Sequence, residues 1–186
     1  MGIQNLLLFL SKYAGKISLN YLRGKVCGID VFGRLYKGAY SCAYELDIGE
    51  TTTKHIEYVV RCVDQLLAVR IKPVLVFDGI TPHMKLPVEN RRRGSRAKYR
   101  ENAQKSINEE NIRRDALMKW AISIDHNFVT SLVKVCIEKG YDYVVAPYES
   151  DAQLTYLKKF GLVDYILSED SDLLVFGSAE FTKVIF

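Results

Sequence analysis

No apolar stretch in these 186 residues approaches the roughly 20 that a membrane-spanning helix requires. The start, Met1-Gly2-Ile3-Gln4-Asn5-Leu6, lacks the charged opening and long apolar core of a secretory signal. Leu6 also stands where a myristoylation motif calls for Ser or Thr. These absences point to an intracellular chain with no membrane role. Cysteine is sparse: Cys27, Cys42, Cys62 and Cys136 make no close pair of metal-binding spacing and lie among apolar neighbours, so they read as small reduced core residues. The three histidines, His55, His83 and His126, are isolated and fit no zinc pattern, and surface or capping positions are expected for each. No internal repeat or low-complexity segment is visible. With 48% hydrophobic and 26% charged residues, there is enough apolar material for the core of one globular domain.

Charge is present but unevenly placed. The formal net charge is +4, yet the stretch from Lys85 to Arg114 holds ten Lys or Arg against four Glu, a net of +6, which leaves −2 for the remainder. A local positive field of this kind fits an anionic partner bound at one place. Lys85, Arg92, Arg96 and Arg100, spaced by seven, four and four, fall along one stripe of a helix that Pro87 can begin. A solvated charged face is the ordinary alternative. Arg91-Arg92-Arg93 with few local acids gains little from internal pairing, which favours a binding role.

Along the chain, apolar runs alternate with amphipathic segments. A first helix is expected to place Ile3, Leu6, Leu7 and Leu10 on one face. Further helices are expected over Leu35 to Leu46, through Ile56 to Leu67, over Phe128 to Lys139 with Gly140 as its C-terminal cap, and over Ser150 to Phe160. Strands are expected to end at Asp30, Asp78, Glu149 and Asp170, with another beginning in Lys183 to Phe186. This alternation argues for an α/β fold, a central and mostly parallel sheet flanked by helices. The segment from about Ile80 to Ile124 breaks the rhythm and reads as a helical functional insertion.

The strand ends carry the chemistry. Six carboxylates, Asp30, Asp78, Glu149, Asp151, Asp170 and Asp172, each sit at or just past the end of an apolar run, and in a parallel sheet such ends line one crevice. Carboxylates so gathered repel one another unless cations neutralise them, and hard divalent metals prefer oxygen ligands. Two such ions about 4 Å apart suit in-line attack at phosphate. Acids two residues apart, Glu149 with Asp151 and Asp170 with Asp172, can both turn toward one site at a strand-to-helix junction. Helix capping by Asp151 and turn formation by Asp170-Ser171-Asp172 are the plainer alternatives. Lys85 and Arg92 suit the scissile phosphate, Arg96 and Arg100 suit flanking phosphates, and Tyr36 suits either stacking on an unpaired base or the core.

Several segments together resemble one family. Met1-Gly2-Ile3-Gln4, the Asp30 strand, Pro73-Val74-Leu75-Val76-Phe77-Asp78-Gly79, the basic helix, Ala146-Pro147-Tyr148-Glu149-Ser150-Asp151-Ala152-Gln153 and Ser168-Glu169-Asp170-Ser171-Asp172-Leu173-Leu174 look like the N-terminal and internal nuclease regions of the structure-specific 5′ nucleases. The resemblance is closer to the exonuclease 1 branch than to the flap endonuclease branch. It implies a PIN-like nuclease domain over 1–186, with an N-terminal region over about 1–99 and an internal region over about 127–186. A basic helical arch over about 80–124 joins them.

The resemblance further implies a magnesium-dependent enzyme of DNA repair and replication in the nucleus, binding two Mg2+ with Mn2+ able to substitute, and hydrolysing DNA at 5′ ends, flaps, nicks or gaps. The six acids would be metal ligands, Asp30 and Asp78 acting catalytically with the basic pair Lys85 and Arg92. Gly2, Tyr36, Arg91, Arg93, Arg96 and Arg100 would contact DNA. Asn5 departs from the Gly usual in the family, and Gly33-Arg34 interrupts an apolar segment. A further Asp ligand and a helix-hairpin-helix are expected beyond Phe186, together with surfaces for repair proteins, so the sheet is expected to be truncated at its C-terminal end. A non-catalytic DNA-binding module is the competing reading. A phosphotransfer domain of receiver or haloacid-phosphatase type needs another acid close to Asp30, and Val31-Phe32 follow instead.

Overall fold

A computed structural model of the protein describes residue 3 and residues 5–48, 50–105, 117–177 and 181–182. Gly2 and the strand expected over Lys183 to Phe186 lie outside the described residues. The chain forms two compact units, one of Met1–Gly33, Val60–Ile80 and Val133–Phe186, the other of Arg34–Val59 and Thr81–Leu132.

The first unit is built on β1 (Val26–Asp30), β2 (Lys72–Phe77), β3 (Asp142–Val145), β4 (Tyr165–Leu167) and β5 (Phe181–Thr182). They form one sheet in the order β3-β2-β1-β4-β5, and every neighbouring pair is parallel. Parallel pairing requires crossover segments, which the helices supply. Side chains alternate across the sheet. Cys27, Ile29 and Leu167 pack on one face with Leu22, Leu66 and Ile71. Val26, Val74, Val76 and Ile166 pack on the other with Leu154, Leu157, Val163 and Leu173. Coverage on both faces explains why β1, β2 and β4 read as near-continuous apolar runs, while β3 at the edge of the sheet leaves Tyr143 and Val145 exposed.

Helices follow their periodicity with corrected limits. The expected first helix is the short α1 (Leu6–Leu10), and Ile3 precedes it and is exposed. Asn5, at φ 62°, takes the left-handed conformation ahead of α1. Glycine adopts that region freely and Asn tolerates it better than most residues, so the departure from Gly keeps the backbone shape. The helix expected over Leu35 to Leu46 is two, α2 (Val31–Tyr40) and α3 (Ala43–Asp47), because Cys42 leaves helical geometry at φ −128°. In α4 (Lys54–Ala68), Val59, Cys62, Val63 and Leu66 are buried at helical spacing. The basic helix α5 (Leu86–Lys105) starts one residue before Pro87, after a 3-10 turn over His83–Lys85. The helix expected from Phe128 is α6 (His126–Lys139), begun by Asp125, whose carboxylate accepts the Asn127 and Phe128 N–H groups. Gly140 at φ 68° follows it. Then come α7 (Ser150–Lys159) and α8 (Asp172–Val175).

The second unit has its own small core of Ala39, Ala43, Ala103, Met118 and Ile122. All four cysteines are buried, as their surroundings imply. His83 and His126 are exposed, but the surface or capping position expected for His55 is corrected. The residue is 6% exposed, its ring lies 4.5 Å from that of Phe128 at a 45° tilt, and burial lowers its pKa.

Two glycines matter to the strand ends. A Cβ on Gly28 would stand 2.7 Å from Leu154 Cδ2, so its absence lets α7 sit tight on β1. At Gly79 the N–H donates to the Tyr148 carbonyl at 2.6 Å and the Ile80 N–H to the Pro147 carbonyl at 3.1 Å. These bonds lay the chain after β2 against the loop leading into α7. A Cβ on Gly79 would lie 1.9 Å from the Ala146 carbonyl oxygen, and the neighbour is backbone that cannot rotate away. Gly79→Ala is therefore expected to cost about 2 kcal/mol or more of stability, measured by urea unfolding, while Gly94→Ala, where a Cβ has open space within 4 Å, is not expected to destabilise.

Candidate metal centre

All six acids fall in the first unit, at its strand ends. Asp30 is the last residue of β1 and Asp78 the first after β2. β3 and β4 are shorter than their apolar runs, so Glu149 lies four residues past Val145 and Asp170 three past Leu167. Glu149 precedes α7 without making a side-chain cap bond, Asp151 is in the first turn of that helix, and Asp172 opens α8. Both acid pairs thus occupy strand-to-helix junctions.

The parallel register decides which acids meet. Ile29 stands opposite Leu167, so the next residues along, Asp30 and Ser168, emerge side by side. The Asp30 Oδ2 accepts the Ser168 hydroxyl at 3.1 Å, and its Oδ1 accepts the Phe32 N–H at 3.1 Å. Asp78 Oδ1 accepts the Ser150 N–H at 2.7 Å, at the positive N-terminal end of α7. Asp170 Oδ1 accepts the Asp172 N–H at 3.1 Å, so the turn-forming role is real for this residue. It coexists with a place among the other acids.

Electrostatics ties the set together. Burial, then the charge of Asp78, pushes the Asp30 pKa up to about 6, against the pull of the Ser168 hydroxyl and the Phe32 N–H. Burial, followed by the charges of Asp30, Asp170, Asp78 and Glu149, pushes Asp151 up to about 7. Five of the six acids therefore share one field, and Asp172 is not among the charges that act on these two. No group of three or more His, Cys, Asp or Glu side chains among the described residues is gathered closely enough to hold a metal ion as it stands. The donor chemistry nonetheless fits hard divalent cations: oxygen ligands only, with negative charge in excess of what the nearby backbone N–H groups offset.

The basic residues lie in the second unit. Lys85 closes the 3-10 turn before α5 and is exposed, as are Arg91, Arg92 and Arg93. Arg92 Nη1 lies 4.0 Å from Glu89 Oε2 in a solvent-exposed ion pair, and Arg96 and Arg100 are held by hydrogen bonds. Arg96 Nη1 donates to Glu89 Oε1 at 2.9 Å and its Nη2 to the Tyr36 hydroxyl at 3.3 Å, while Arg100 Nε donates to Asp47 Oδ1 at 2.9 Å. Internal pairing is thus larger than the sparse local acids imply, because Asp47 comes from α3, distant in sequence. Tyr36 packs beside Tyr40 against the second unit's core.

Two buried serines escaped sequence reading. Ser168 and Ser171 are each 2% exposed within the acid-rich loop, and Ser171 Oγ accepts the Ile3 N–H at 2.7 Å. The residue next to Gly2 is thereby held on the loop between Asp170 and Asp172. The available signal was a hydroxyl alternating with acids at the end of a buried strand.

Comparison with known proteins extends over the whole chain. The XPG N-terminal domain matches residues 1–99 and the XPG I-region matches residues 140–186. Exonuclease 1 of Drosophila melanogaster is 36% identical over 179 residues, covering 96% of this chain and 24% of that protein. Exonuclease 1 of Oryza sativa subsp. japonica is 39% identical over 187 residues, covering 100% and 22%. The chain thus spans about a quarter of the length of these relatives. Among solved structures, the catalytic core of Rad2 in complex with DNA substrate superposes with a TM-score of 0.71 at 23% identity, over 100% of this chain and 51% of that one. Flap endonuclease-1 from Methanococcus jannaschii does so with a TM-score of 0.63 at 24% identity, over 91% and 56%. These likenesses establish the fold.

The raised acids set a pH dependence. A carboxyl whose folded pKa exceeds its unfolded value binds more protons when folded, so stability falls as pH rises from about 4 to about 7. In chelator, thermal unfolding should therefore occur at a lower temperature at pH 8 than at pH 5.5. Mg2+ should restore stability at pH 8, and Asp151→Asn should flatten the slope. Scanning calorimetry of both proteins across this pH range, with and without Mg2+, checks it.

Proposed function

Because this chain belongs to the family of nucleases that carry the XPG N-terminal domain and the XPG I-region, within its exonuclease 1 branch, we propose that it hydrolyses DNA phosphodiesters with two divalent cations, Mg2+ or in its place Mn2+. The substrates proposed are DNA 5′ ends, flaps, nicks and gaps, met in repair and replication in the nucleus. The observation that carries the reading is the shared field of Asp30, Asp78, Glu149, Asp151 and Asp170 at the ends of parallel strands. Asp30, Asp78, Glu149, Asp151, Asp170 and Asp172 would hold the ions. Cations bound there supply an activated water and charge stabilisation for the leaving oxygen.

The chain's own residues do the rest. Backbone N–H groups of Phe32, Ser150 and Asp172 orient Asp30, Asp78 and Asp170, so ion binding has to close the spacing of the acids but not to order these three carboxylates. In this reading residues 1–99 and about 127–186 make one nuclease domain, and the basic segment over about 80–124 is its arch. Lys85 and Arg92 act on the scissile phosphate, while Arg91, Arg93, Arg96 and Arg100 hold the backbone of the DNA. Arg96 must exchange Glu89 for phosphate to do so. Arg100 must likewise leave Asp47, 2.9 Å away, for phosphate. Tyr36 and Gly2 are assigned to the unpaired end. A non-catalytic DNA-binding module is favoured only by the open spacing of the acids.

Asp30→Ala and Asp170→Ala should each lower cleavage of a 5′-flapped duplex by at least about a hundredfold while affinity for that DNA in Ca2+ is kept. Single-turnover kinetics and fluorescence anisotropy measure the two quantities. A wild-type protein that binds DNA but does not cleave it in Mg2+ would instead support the binding module.

Among the basic residues, Lys85→Ala and Arg92→Ala should lower the single-turnover rate more than affinity. Arg91→Ala and Arg93→Ala should weaken binding and reduce its salt dependence by about one counterion each. A uniform loss of affinity across all four, with rate unchanged, would reduce the segment to a binding surface.

A further inference from the structure

Ser168 is a buried hydroxyl placed between two of the acids. It is 2% exposed, at a depth where an unpaired polar atom is costly, and both of its bonds go to the candidate metal centre. Its hydroxyl donates to Asp30 Oδ2 at 3.1 Å, and the same oxygen accepts the Asp170 N–H at 3.1 Å. One atom therefore links the end of β1 to the loop after β4. The link is dictated by register, since Ile29 faces Leu167 and the next pair along is Asp30 and Ser168. With Oδ1 taken by the Phe32 N–H, each Asp30 oxygen receives one hydrogen bond and keeps a lone pair for a further partner. The carboxylate is fixed in rotation and still able to ligate.

We infer that Ser168 is a positioning residue of the metal centre: its hydroxyl aims Asp30 and spaces it from Asp170, so that both carboxylates meet divalent cations without first being ordered. The inference rests on the metal-dependent reading above. Outer partners that orient a ligating carboxylate typically contribute 10- to 100-fold to metal affinity. A methyl group or an apolar side chain at 168 would leave the partly buried Asp30 Oδ2 without its donor and free the Asp170 loop to shift.

The test uses Mn2+ binding rather than turnover. Dissociation constants are measured by calorimetry on the full chain for the wild type, Ser168→Ala, Ser168→Thr and Ser168→Val, with unfolding temperatures recorded for each. Thr and Val share nearly the same shape and differ in the hydroxyl, so the pair separates hydrogen bonding from packing even if the alanine variant folds poorly. The expected result is wild-type-like affinity for Ser168→Thr, within about threefold, and binding roughly 10- to 100-fold weaker for Ser168→Val and Ser168→Ala. The Mg2+ concentration for half-maximal cleavage should rise in parallel, with DNA affinity in Ca2+ unchanged. Equal affinity in the Thr and Val variants would overturn the inference, as would loss of affinity that merely tracks unfolding temperature. A folded wild type that binds no Mn2+ would overturn the metal-dependent reading itself, and this inference with it.

Discussion

Partly buried carboxylates, disfavoured first by desolvation and then by one another's charge, are the constraint around which the strand ends of the first unit are arranged. Asp30 and Asp151 are held where burial and neighbouring charge both oppose ionisation, and a fold aimed at stability alone would place apolar or neutral groups there. What tolerates the arrangement is a set of local donors. The Ser168 hydroxyl and the N–H groups of Phe32, Ser150 and Asp172 each offset part of the charge without supplying a compensating cation. Under the proposed function, cations bound there would offset the remaining charge, which links the cost in the free fold to the proposed chemistry of phosphate cleavage.

The packing beneath the acids keeps that site in one piece. Parallel strands bring their C-terminal ends to the same edge, and the close approach of α7 to β1 at Gly28 carries the Asp151 helix down onto the strand that ends in Asp30. The pinning of Gly79 to the loop at Pro147 and Tyr148 does the same for Asp78 and α7. Small residues at these positions are thus part of the site although they have no functional group to offer.

The second unit manages the opposite charge differently. Helix α5 carries an exposed run, Arg91 to Arg93, in which Arg92 lies 4.0 Å from Glu89, and two arginines held by hydrogen bonds, Arg96 by Glu89 and Tyr36 and Arg100 by Asp47. The hydrogen-bonded arginines tie α5 to Tyr36 of α2 and Asp47 of α3, while the exposed ones face solvent where an anion can reach them. A single basic run therefore contains two physical roles that composition cannot separate.

Hydrophobic periodicity was enough to read the parallel α/β fold, the four main strands and most helices, since a sheet buried on both faces demands continuous apolar runs and a helix demands its 3.6-residue stripe. The type of the candidate site was equally legible, because acids at successive strand ends can gather only if the strands are parallel. The motifs around Asp78, Glu149 and Asp170 also identified the family. Other features depended on contacts between residues far apart in the chain. The burial of His55 against Phe128, the pairing of Arg100 with Asp47 and the bond from Ser168 to Asp30 each join positions that no local pattern connects. Sequence by itself determined which residues would stand at the strand ends and what charge they would bring. Tertiary structure alone decided which of them meet and which hydroxyl or arginine completes the contact, because register and helix packing, rather than spacing along the chain, set the distances over which hydrogen bonds and charges act.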